Sequence, residues 1–161
     1  MSLSRAIAAA LDARPESGAL PIAVAVEEGP HRLTLQLTAS SPLGVEFDAL
    51  EFLAQDRPEW SLDDLKGWGD RLAGRLTYLM EPLVILEADP IAGEVALRSR
   101  TPTPRQGQRS YYEVRLSRGG HLRLGRVAYD EAARVRRPVP CQLTREALER
   151  LVDDLAASVV A

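Results

Sequence analysis

The chain has 161 residues, 45% of them hydrophobic and 27% charged, with a net charge of −3. That length and apolar share suit one domain with a substantial core, and with no run of 18 apolar residues there is no membrane-spanning helix to expect. A single cysteine, Cys141, excludes an internal disulfide, and the N-terminus lacks the unbroken apolar core of a signal peptide, so a cytoplasmic setting is expected.

Ser2 or Ser4 can cap a first helix, with Leu3, Ile7, Ala10 and Leu11 at helical spacing. Pro15 to Gly18 ends it. "PIAVAVEE" reads as a strand and Gly29-Pro30 as a turn. In "HRLTLQLTAS", Leu33, Leu35 and Leu37 alternate with Thr34, Gln36 and Thr38, the pattern of a half-buried strand. "GVEFDALEFLA" begins in the same way, but its phase slips between Phe47 and Leu50. That slip predicts a bulge near Asp48 or Ala49.

"SLDD" has the capping-box form, Ser61 with Asp64. Leu65, Trp68, Leu72, Leu76 and Leu79 then mark one face of a helix of about five turns, stopped by Pro82. Gly67, Gly69 and Gly74 lie inside it, each costing up to about 1 kcal/mol against alanine. Three together point to close packing, either against the sheet or against the same helix of a second copy. "LVILEA" and "EVALRSR" read as strands, and the Pro-rich "TPTPRQGQ" as a mobile loop. Tyr112, Val114 and Leu116 alternate on a further strand. Gly119-Gly120 makes a two-residue hairpin loop, and Leu122 and Leu124 resume the apolar face. Beyond Gly125 the apolar phase shifts to Val127 and Tyr129, which predicts a second bulge there. Thr144 caps a last helix with Leu148, Leu151, Val152, Leu155 and Val159 on its apolar stripe.

These elements predict one α+β domain over residues 1–161. Its sheet is mainly antiparallel, of about six to seven strands in the order α-βββ-α-ββββ-α, with the helices packed on one face.

Charge is unevenly placed. Residues 1–97 carry 7 cations and 16 anions, whereas residues 98–137 carry 11 arginines and 3 anions. Alternation puts Arg115, Arg123 and Arg126 on one face of the hairpin, opposite Val114, Leu116, Leu122 and Leu124. Three readings of that block are open. It is a solvated face with cross-strand partners such as Glu113. Or it docks an acidic surface, on a partner protein or on residues 46–64 of a second copy. Or it binds nucleic acid weakly, with Tyr111 stacking on bases. The third is disfavoured, because no nucleic-acid motif is present and the whole chain is acidic.

Catalytic constellations are sparse. His31 and His121 both follow turns, and no zinc spacing, nucleophile elbow or phosphate loop is present. "GWGDRLAG" has the wrong spacing for a dinucleotide fingerprint and lies within a helical pattern. Neither Asp63-Asp64 nor Asp153-Asp154 is marked as an acid–base couple. Cys141 is the one candidate reactive thiol, because a helix N-terminus lowers a thiol pKa. The competing reading is a small buried residue under the helix start. No metal and no cofactor are expected.

The order of elements resembles that of type III secretion chaperone-like proteins. It does so through "LVILEADPIAGEVALRSR" after the middle helix and "PVPCQLTREALERLVDDLAAS" at the end. The arginine-rich hairpin between these segments is an addition to the family's pattern. The resemblance implies a small acidic homodimer that binds unfolded segments of a partner, with no catalytic residues. The expected function is therefore a non-catalytic protein-binding or adaptor domain using its arginine face. A small-molecule binder or enzyme with a pocket under the sheet, built around Cys141 or His121, is the alternative.

Overall fold

The computed structural model describes residues 2–15, 18–56, 59–79, 81–99, 103–105 and 108–160. Three capped helices form where the side chains dictate. Helix α1 (Leu3–Asp12) starts at Ser2, whose Oγ accepts the Arg5 N–H at 3.2 Å, and buries Leu3, Ile7 and Leu11. Helix α2 (Leu62–Arg75) starts at a complete capping box. Ser61 Oγ accepts the Asp64 N–H at 3.1 Å, and the Asp64 carboxylate accepts the Ser61 N–H at 2.9 Å. Helix α3 (Arg145–Ser158) starts at Thr144, whose Oγ1 accepts the Ala147 N–H at 3.0 Å.

Helix α2 ends at Arg75, a turn earlier than its apolar spacing predicts. Gly74 and Thr77 are weak helix formers, and Leu76 and Leu79 are buried from the irregular segment instead.

The strands are β1 (Ile22–Glu28), β2 (His31–Ser40), β3 (Gly44–Ala54), β4 (Leu83–Asp89), β5 (Glu94–Ser99), β6 (Thr103–Arg105), β7 (Gln108–Ser117), β8 (His121–Asp130), β9 (Val135–Val139) and β10 (Cys141–Thr144). They form one antiparallel sheet in the order β1-β2-β3-β8-β7-β5-β4, with β6 on β7, β9 on β8 and β10 on β3. The expected order of helices and strands stands, and the sheet is larger than expected. The additions are β6, β9 and β10. Part of the stretch expected to be a mobile loop is β6. Residues 101, 102, 106 and 107 of that stretch lie outside the described residues.

The bulge predicted near Asp48 is present. Between Leu35↔Leu50 and Leu37↔Phe47, two steps on β2 face three on β3. The bulge predicted at Gly125 is not. The β7–β8 ladder runs without a break from Gln108↔Asp130 to Ser117↔His121. Gly125 marks a fork instead. Beyond the pair Ala49↔Gly125 the two strands part, β9 takes up the free edge of β8, and β10 takes up that of β3.

All three helices cover the same face: α1 over β1 and β2, α3 over β3 and β10, α2 over β4, β5 and β7. Between helices and sheet lie Leu33, Leu35, Phe47, Phe52, Leu97, Val114, Leu122 and Leu124, all fully buried or nearly so. Trp60 and Trp68 stack at 4.7 Å between ring centroids, and Phe52 meets Trp68 edge-on at 6.3 Å. Of the three glycines in α2, only Gly69 faces the sheet. A β-carbon there would come within 3.2 Å of Ile85 and 3.4 Å of Leu97. The close approach that its glycine implied is thus made to the sheet.

Candidate functional site

The face of the sheet turned away from the helices bears the arginine block. Cross-strand partners share a face, so the ladder fixes which side chains point outward. Arg115 and Arg123 stand directly opposite each other there, their side chains 54% and 55% exposed. Like charges in that position repel, and carboxylates on either flank draw the two apart. Arg123 donates to Glu51 on β3 at 2.8 Å. Arg115 donates to Glu113 at 3.1 Å and lies 3.8 Å from Glu94. Glu113 also accepts from Arg136 at 2.8 Å. Beside the two arginines the strand fork opens a cleft of about 150 Å³, lined by Arg115, Arg123 and Arg126 together with Asp48, Glu113, Gly125, Val127 and Pro138.

Two of the expected site residues are not free on that face. Arg126 is not on the outer face with Arg115 and Arg123. It pairs with Tyr112 across the ladder, on the helix-side face, because the expected bulge at Gly125 is missing. Its Nη2 donates to Glu81 Oε2 and to Ser110 Oγ, both at 2.9 Å, and its guanidinium lies 4.5 Å over the Tyr112 ring. Tyr111 does point outward, but it is only 5% exposed. Arg98 and Arg136 cover its ring at 4.8 and 5.9 Å. A base has no free ring face to stack on, so the nucleic-acid reading loses its aromatic platform.

Cys141 is fully buried on β10, paired with Phe47 and three residues ahead of the α3 cap. Burial pushes its thiol up to about 12, with nearby Arg126 pulling the other way and Asp48 adding to the rise. The expectation of a thiol activated by the helix terminus is corrected by that burial. Alkylation by iodoacetamide near neutral pH should therefore be undetectable in the native protein and rapid in denaturant. Because the folded value is raised, the thiol's contribution to stability is present in full below the ordinary thiol range. It is lost as the pH rises from there through about 12, where only the unfolded chain ionises first. Native labelling as fast as in denaturant would contradict the assignment.

The histidines do not converge on a site. His31 packs 5.2 Å from the Phe52 ring under the sheet, and His121 pairs with Leu53 on the other face. Among the described residues no group of His, Cys, Asp and Glu side chains could hold a metal ion. A concavity of about 560 Å³ is a wide-open trough along Ser40, Leu43, Gly44, Gln142 and Thr144, with Glu46 its one charged residue. It lies at the end of the sheet and not under it. No helix of the described residues is long and apolar enough to cross a membrane.

Sequence reasoning named Glu113 as a partner of the arginine face but missed Arg98 and Arg136. Arg98 and Glu113 stand opposite each other in the β5–β7 ladder, and that pairing was legible from "EVALRSR" and "SYYEVRLS" once both were taken as strands. Arg136 sits on β9, whose "VRRPV" carries no apolar alternation. In comparisons with family models, with curated proteins and with solved structures, no match to this chain was found.

Proposed function

We propose that this is a protein-binding domain that performs no chemistry of its own. Its bare outer sheet face receives an extended, acidic segment of a partner. One observation carries the reading. Arg115 and Arg123 stand side by side, exposed and paired to in-chain carboxylates, and both line the cleft at the strand fork. A partner carboxylate entering that cleft meets two guanidinium groups at once, and it relieves the repulsion between them. The resemblance to type III secretion chaperone-like proteins points the same way, toward an unfolded partner segment. The filled core under the sheet favours this over a small-molecule site.

The test combines native mass spectrometry of the protein from its own host with the double variant Arg115→Glu, Arg123→Glu. The expected spectrum shows a bound polypeptide and no small ligand. The double variant should lose that polypeptide by about tenfold or more in affinity. It should shift stability by less than about 1 kcal/mol, since exposed ion pairs contribute little. A retained mass of a few hundred daltons would favour the small-molecule reading. A polypeptide held equally well by the double variant would move the binding surface off this face.

A further inference from the structure

Free strand edges invite pairing, and proteins guard them with bulges, prolines and charge. Edge strand β4 is bulged between Ile85 and Glu87 and carries Glu87 and Asp89. Strand β9 carries Pro138 beside Arg136 and Arg137, and β10 is only 4 residues long. Strand β1 has no bulge and no proline, and its two acids, Glu27 and Glu28, both lie at its far end. It pairs with β2 over seven unbroken positions, and its first five residues, Ile22 to Val26, are uncharged and free of proline.

We infer that β1 is where a second copy of this chain joins, antiparallel, on a two-fold axis at Ala25, so that one sheet continues through both chains. Three observations select a second copy. First, that register sets Ile22 against Glu28, Ala23 against Glu27 and Val24 against Val26. Each acid then faces an uncharged residue, whereas a parallel pairing would set Glu27 against Glu27. Second, Val24 and Val26 point to the core side yet are only partly buried in one chain. The two-fold brings four such valines together.

Third, the helix beside the edge makes room. Arg145 donates to the Ala8 carbonyl at 3.3 Å and to the Asp12 carboxylate at 3.0 Å, which places α3 on the Ala8–Asp12 side of α1. Leu3, Ile7 and Leu11 face the core. At 3.6 residues per turn the remaining flank, the one facing past β1, is Ala6, Ala10 and Ala13. It carries no charge and no bulky side chain, so α1 sets nothing large or charged against a partner's edge. This inference is independent of what the outer face binds.

The test is mass measurement by light scattering on the wild type and on Ala25→Lys and Ala25→Glu, at tens of micromolar. Ala25 is exposed, so neither change touches the core. The wild type should be a dimer. Each variant should weaken the dimer by about tenfold or more, because it sets like charges opposite each other on the axis. An equimolar mixture of the two variants should restore a dimer through a Lys–Glu pair. Ala10→Arg, on the helix flank, should weaken the dimer to a similar degree. A monomeric wild type, a dimer indifferent to Ala25→Lys, or a mixture that stays monomeric would each overturn the inference. The outer-face variant Arg115→Glu, Arg123→Glu should leave the dimer intact.

Discussion

Replacing Arg126 with alanine is expected to destabilise the domain by about 3–5 kcal/mol, whereas the same change at Arg115 or Arg123 stays within about 1 kcal/mol. The three arginines look equivalent along the chain and differ in surroundings. Arg126 and its partner Glu81 have side chains only 16% and 7% exposed, against 54% for Arg115. Truncating Arg126 removes the cation 2.9 Å from the largely buried Glu81 carboxylate, and the desolvation of that carboxylate governs the cost. The change also removes the guanidinium from over the Tyr112 ring and the hydrogen bond to Ser110. Arg115, by contrast, is exposed and screened, and water replaces what it loses. Urea denaturation of the three single variants makes the comparison. The double variant Arg126→Met, Glu81→Met should recover much of the loss, because it removes both charges together. An Arg126→Ala variant within 1 kcal/mol of wild type would mean that the pair is solvated after all.

The error over Arg126 shows what local pattern can and cannot carry. Capping was readable because the cap and its partner lie three residues apart, as at Ser61 and Asp64. The β2 alternation was readable because Leu33, Leu35 and Leu37 face one core. The bulge in β3 was readable because the apolar phase slips between Phe47 and Leu50. The same inference failed at Gly125, where Val127 and Tyr129 are apolar for another reason: they lie on the outer face beside Tyr111 and Arg109. Hydrophobic pattern assigns a face only when one face is dry. Here arginines cover the outer tyrosine and make it resemble a core position. The uneven charge misled in a similar way. It read as two surfaces seeking each other, yet Arg123 and Glu51, 72 residues apart, meet within one chain because β8 lies beside β3. No local signal fixes that neighbour relation.

Gly120→Ala should cost about 3–5 kcal/mol, a large part of a typical domain's stability, while Gly119→Ala should be neutral or slightly stabilising. The loop between β7 and β8 holds three residues, Arg118 to Gly120, rather than the two expected, and its last residue takes φ +77°. That is the left-handed conformation a three-residue hairpin loop requires at its final position, and it suits glycine. Space adds to the demand. A β-carbon on Gly120 would lie 2.5 Å from the Ala54 carbonyl oxygen and 2.7 Å from Nε1 of the buried Trp60. Neither can withdraw. The Ala54 backbone N–H donates to the Gly120 carbonyl at 2.9 Å, and the Trp60 backbone N–H donates to the Arg118 carbonyl at 2.9 Å. The turn is therefore fastened to the end of β3 and to the tryptophan that stacks on Trp68. Gly119 has nothing within 4 Å of its would-be β-carbon, so alanine there only reduces the freedom of the unfolded chain. Because the hairpin carries Arg115 and Arg123, a loosened turn should also blunt the outer face. The two alanine variants, compared by denaturation midpoint, separate a special position from a generic loop glycine. Equal midpoints would show that the contact between turn and tryptophan does not hold the hairpin.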